Sequence, residues 1–105
     1  MIQTVTDKTV AIEILKQLGG NRFIAMTGAR NFYATDNGMG FRLPGTMTKD
    51  RINFVKITLN GLDLYDLEFK SIWGDKIKTV CTFEGAYNDM LQQIIESKTG
   101  LKLSL

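Results

Sequence analysis

RINFVKITLNGLDLYDLEF, residues Arg51 to Phe69, decides how this chain reads. Asn60-Gly61 stands between two apolar alternations, the strongest short-range signal for two antiparallel strands joined by a turn. Side-chain parity then tests the register. A two-residue loop at Asn60-Gly61 would set Val55 beside Asp66 and mix core with solvent. A loop of odd length sets odd positions against odd. Val55, Ile57 and Leu59 then share a face with Tyr65, Leu67 and Phe69, while Phe54, Lys56, Thr58, Asp66, Glu68 and Lys70 occupy the other. The clean apolar face predicts the odd loop. Leu59-Asn60-Gly61 suits it, with Gly61 in the left-handed conformation that glycine adopts without a Cβ penalty.

Immediately upstream, Asn31 to Leu43 (NFYATDNGMGFRL) repeats the pattern around Asn37-Gly38. A two-residue turn there faces Ala34 with Phe41 and Phe32 with Leu43 on the buried side, and pairs Tyr33 with Arg42 outside. Pro44-Gly45 stops the strand, and residues 46–50 form a short polar loop that packing has no reason to order. Arg22 to Thr27 (RFIAMT) reads as a further strand. Before it, Lys8 to Leu18 is a helix capped by Thr6 or Asp7, with Val10, Ala11, Ile14, Leu15 and Leu18 on one stripe and Gly19-Gly20 at its end. Residues 1–6 are a flexible arm.

Downstream, Gly74-Asp75 turns the chain into a last strand, Lys76 to Phe83, whose lysines suit a sheet edge, and Gly85 breaks it. Tyr87 to Lys98 repeats apolar residues at Tyr87, Met90, Leu91, Ile94 and Ile95, and Gly100 stands where a C-terminal cap belongs. Leu101, Leu103 and Leu105 alternate afterwards, as a strand, a cover for the core, or a contact with a neighbouring subunit. The sum is an α+β fold in one domain, 1–105: an N-terminal helix, an antiparallel sheet of four to five strands built from hairpins, and a C-terminal helix on the same face.

Composition removes several function classes. The chain has 105 residues, one cysteine and no histidine, so internal disulfides, the usual zinc sites and histidine relays are excluded. No apolar run approaches 18 residues and no leader precedes the first helix, so no membrane partner and a cytoplasmic location are expected. Asp63, Asp66 and Glu68 are the only carboxylate group with site-like spacing, and an enzyme would need them together with an ion. Lys56 and Lys70 share their face, which makes surface ion pairing the simpler reading. Asn37 to Gly40 (NGMG) lacks the spacing and following helix of a phosphate loop. Cys81 lies among β-branched residues with no base nearby and reads as an inert, half-buried thiol. The expectation is a protein that is not an enzyme, with no metal and no cofactor.

Charge is distributed unevenly. Between Lys16 and Lys56, seven basic residues (Lys16, Arg22, Arg30, Arg42, Lys49, Arg51, Lys56) oppose only Asp36 and Asp50, whereas from residue 57 onward acidic residues outnumber basic ones. Tyr33, Arg42, Phe54 and Lys56 are predicted to point away from the apolar face, with Arg51 near them. Rings between cations on a sheet are what single-stranded nucleic acid needs, stacking platforms along an electrostatic track. No helix carries a basic face, which argues against duplex reading.

LGGNRFIAMTGARNF at 18 to 32, FRL at 41 to 43, KITLNG...DLYDLEF at 56 to 69 and YNDML...TGL at 87 to 101 together resemble a group of short proteins of tailed phages and mobile elements of gut and lactic-type bacteria. The resemblance covers nearly the whole chain from Leu18 onward. It implies a mobile-element origin, a location in the host cytoplasm and no particular chemistry. In element order alone, a sheet of hairpins closed by a helix is similar to the Whirly-type single-strand binders, from which the extra first helix departs. These readings predict a non-enzymatic single-stranded nucleic-acid-binding protein, acting as a homo-oligomer through a strand edge or the C-terminal leucines, with Tyr33, Arg42, Arg51, Phe54 and Lys56 at the nucleic acid. The alternative is a protein-interaction module, an inhibitor or adaptor of a host or phage factor, with Phe54 or the Leu101 to Leu105 tail at the contact.

Overall fold

The computed structural model describes residues 9–35, 37–45 and 48–101. The expected arm at 1–6 and Leu103 and Leu105 lie outside the described residues. Five antiparallel strands form one sheet in the simplest order, each beside the next: β1 (Arg30–Thr35), β2 (Gly38–Arg42), β3 (Phe54–Leu59), β4 (Tyr65–Trp73) and β5 (Lys76–Ala86). Three helices, α1 (Thr9–Leu18), α2 (Asn21–Thr27) and α3 (Leu91–Thr99), supply the other side of the core. The fold is α+β.

The β3–β4 hairpin has the parity that its sequence demands. Val55 pairs with Phe69, Ile57 with Leu67 and Leu59 with Tyr65, and all of these except half-buried Leu59 are buried. The loop differs from the expected three residues. It spans 60–64, and the left-handed residue is Asp63 (φ 62°), not Gly61. Asn60 explains the choice: its side-chain oxygen accepts from the backbone N–H groups of Leu62 (2.8 Å) and Leu64 (3.2 Å), its own N–H donates to the Leu64 carbonyl, and its Nδ2 donates to Asp66 Oδ1. An Asx side chain that satisfies a wider loop outweighs the turn preference of Asn-Gly.

The β1–β2 hairpin keeps the predicted faces in a shifted register. Thr35 pairs with Gly38 and Ala34 with Met39, so the turn falls one residue earlier than Asn37-Gly38 and Tyr33 faces Gly40 instead of Arg42. Glycine at 40 is the reason. The Tyr33 ring lies where a Cβ at that position would point.

RFIAMT is not a strand. It is α2, entered through Gly20 (φ 60°) and closed by Gly28 (φ 73°), whose N–H donates to the Ile24 carbonyl. Its two buried positions, Phe23 and Thr27, are one helical turn apart, and the Thr27 hydroxyl returns a hydrogen bond to the Phe23 carbonyl (2.8 Å). Gly85 does not break β5 either. It is a bulge (φ 79°) between the Tyr65–Ala86 and Leu67–Phe83 pairs, and its N–H donates to Asp66 Oδ1 (3.1 Å). The final helix starts later than the apolar repeat suggests. Tyr87 precedes it and is 62% exposed, while Leu91, Ile94 and Ile95 are buried and Gly100 (φ 78°) caps it as expected.

The segment after Pro44 is ordered by packing where it is described. Ile52 is fully buried, the Thr48 hydroxyl lies within hydrogen-bonding distance of the Gly45 and Ile52 carbonyls, and Lys49 Nζ donates to the Ser97 carbonyl (3.3 Å) near the C-terminus of α3, where a cation is favoured. Gln92 of α3 likewise donates to the Leu18 carbonyl at the end of α1. Phe41 joins these layers, with Phe23 edge-on and Phe32 tilted, each ring centroid 5.4 Å away.

Candidate nucleic-acid interface

Among the described residues α1, α2 and α3 all lie on the core side of the sheet, which leaves the other as the open face. Register defines it. Tyr33, Gly40, Lys56, Glu68 and Thr82 form one row across all five strands, and Arg30, Arg42, Phe54, Lys70 and Thr79 form the next. Four of the five residues singled out in the sequence therefore lie in two adjacent rows on β1 to β3. Tyr33 and Phe54 are nearly parallel, 16° apart with centroids at 6.1 Å. Arg42 stands directly opposite Phe54, and Lys56 is separated from Tyr33 only by Gly40.

Arg51 is placed elsewhere. It sits in a short 3-10 turn (Lys49–Arg51) at φ 57°, with its guanidinium over the Trp73 ring, 4.6 Å from the centroid. Trp73 in turn lines a concavity together with Arg30 and Arg42, so Arg51 borders the two rows without belonging to them. Sequence reading missed Arg30, because Gly28-Ala29-Arg30 reads as a turn ahead of the strand, whereas β1 begins at Arg30 itself; simple alternation from Tyr33 would in any case turn it to the opposite face. A bulge between Arg30 and Tyr33, with Asn31 at φ 55°, restores it to the open face. No local sequence signal marks that bulge.

The carboxylates of β4 are committed to structure. Asp66 Oδ1 accepts from Asn60 Nδ2 and from the Gly85 N–H. Glu68 pairs with Lys70 at 3.4 Å. Asp63 is in the loop, and among the described residues no group of three His, Cys, Asp or Glu side chains could hold a metal ion. The cationic part of the face is thus β1 to β3, and β4 bounds it with a neutralised pair. Cys81 is half-buried on β5 opposite Phe69. No helix among the described residues is long and apolar enough to cross a membrane.

No family model, curated protein or solved structure matches the chain. The face must be judged on its own chemistry. Partial burial, and secondarily the Glu68 carboxylate, hold the Tyr33 phenol above its ordinary value of 10.0; burial and Glu13 do the same for Tyr65 on the inner face. Both shifts favour the neutral phenol in the folded state. The associated stability is fully present below pH 10 and is lost as pH rises through the raised values. Thermal melts at stepped pH are therefore expected to fall above pH 10, and Tyr33→Phe is expected to blunt that fall; phenolate absorbance of the two proteins reports the same difference.

Proposed function

We propose that this is a non-enzymatic single-stranded nucleic-acid-binding protein of a phage or mobile element, which lays the strand across β1 to β3. The observation that supports it is the parallel Tyr33–Phe54 pair set between Arg42 and Lys56 on the open face. Tyr33 is 42% exposed and lies across a glycine, so an aromatic surface remains for bases while the cations meet phosphates. Stacking accepts any base, because every base has a π-face. The proposed specificity is accordingly for single strands and not for sequence.

The deciding experiment is fluorescence anisotropy with labelled oligo-dT over a salt series. Binding is expected to weaken steeply with salt, with a slope near −0.7 for each phosphate neutralised on a single strand. Affinity without a salt slope, or no affinity at low salt, would refute the reading.

A second reading, a protein-interaction module, has one observation in its favour. Ile12 is 59% exposed, and it borders an apolar groove of about 210 Å³ between α1 and the β1 edge, lined also by Ala11, Leu15, Phe32 and Met39. A second copy paired along β1 would cover that groove and form the proposed homo-oligomer. A monomeric mass in solution and a protein recovered on the immobilised chain, with no oligonucleotide shift, would select the module instead.

A further inference from the structure

We propose that the concavity where β2 and β4 end is a subsite for a phosphate monoester, the phosphorylated end of the strand carried by the open face. The proposal rests on the single-strand reading above and adds a polarity to it. Arg30 and Arg42 stand directly opposite each other on β1 and β2. Both line a concavity of about 410 Å³ with Gly45, Asn53, Ile72 and Trp73, and no acidic side chain among the described residues lines it.

Like charges directly opposed on neighbouring strands disfavour the empty protein. Among the described residues neither guanidinium has a carboxylate partner. A bound anion removes the conflict, since each planar fork offers parallel N–H donors to phosphate oxygens. Charge distinguishes the kind of phosphate. A monoester carries roughly −1.5 to −2 at neutral pH and so matches two guanidinium groups, whereas a diester in mid-strand carries about −1. Placement agrees with a chain end, because the Pro44-Gly45 and Trp73-Gly74 turns wall the concavity while Arg42 opens toward Phe54 on the binding face.

The polar side chains of the walls other than the arginines, Asn53 and Trp73, are occupied. Asn53 Nδ2 donates to the Ile72 carbonyl (2.7 Å) and its Oδ1 accepts from the Ile72 N–H (2.8 Å). The Trp73 indole N–H donates to Ser71 Oγ (2.6 Å), and Arg51 covers the ring. Of the lining side chains, the two arginines are what remains for a ligand to engage.

Three oligo-dT strands of one length test this: 5′-phosphorylated, 3′-phosphorylated, and hydroxyl at both ends. One phosphorylated end is expected to bind about tenfold tighter than the hydroxyl strand, the ratio for one or two charge-assisted hydrogen bonds. Arg30→Gln should erase that preference, the affinity ratio of phosphorylated to hydroxyl strand falling from about ten to about one whatever the loss common to both, while raising Tm at low salt by about 1–3 °C as the like-charge pair disappears. Equal affinity for all three strands would overturn the subsite and leave the single-strand reading intact. Should no strand bind, that reading fails and inorganic phosphate decides the subsite alone. A Tm rise over chloride at matched ionic strength, lost in Arg30→Gln, supports it; no rise overturns it.

Discussion

Arg42→Glu combined with Lys56→Glu is expected to abolish single-strand binding, by about 100-fold or more at 0.1 M salt, because two phosphate contacts are lost and two repulsions are introduced. The same double change should leave the fold in place. Glu at position 42 would oppose Arg30 and replace a like-charge pair with an attractive one, whereas Glu at position 56 would oppose Glu68 and do the reverse. Cross-strand pairs contribute roughly 0.2–1 kcal/mol each, so the two effects largely cancel. A Tm within a few degrees of the parent, together with lost anisotropy change, is the expected pair of results. Unchanged affinity in a folded double variant would exclude this face as the binding surface. Gly40→Ala probes the rings separately: its Cβ meets the Tyr33 ring and must displace it without altering a charge, so affinity should fall while the salt slope stays.

How far this face could be read in advance depends on which interactions set each register. Parity in the central hairpin was legible because a side-chain period of two admits one arrangement with a wholly apolar face. That arithmetic correctly placed Phe54 and Lys56 opposite Val55, Ile57, Leu67 and Phe69. It is blind to loop length beyond odd or even, and Asn60 used that freedom to span five residues. In the upstream hairpin the faces survived a shift of register, since moving the pairing by two preserves parity. Tyr33 thus remained outside while exchanging Arg42 for Gly40 as its neighbour.

The failures share a cause. RFIAMT has β-like composition but becomes α2 because paired glycines allow a tight entry from α1, and the Phe23–Thr27 spacing then fits burial. Arg30 and Arg51 depend on positive φ at Asn31, Asp50 and Arg51 itself, conformations that non-glycine residues rarely adopt and that tertiary packing imposes. The result was one candidate residue, Arg51, placed beyond the rows and another, Arg30, overlooked within them.

Phe41→Ala is expected to cause the largest loss of stability. Phe41 is wholly buried in β2, between Gly40 and Arg42, and its ring meets Phe23 of α2 and Phe32 of β1. Truncation therefore opens a cavity that three elements line and that none can fill alone. Such changes cost about 3–5 kcal/mol, against a total of roughly 5–15 kcal/mol for a domain, and should lower Tm by about 12–30 °C. Urea unfolding should show a lower midpoint at unchanged slope, as expected when stability falls without a change in the surface exposed. Because Arg42 and Phe54 form a pair on the opposite face of the same two strands, binding per folded molecule should persist at low temperature and vanish with the melt. A midpoint shift worth less than about 1 kcal/mol would mean that the Phe41 site collapses freely, and the aromatic junction between α2 and the sheet would then not be what holds β1 to β3 in register.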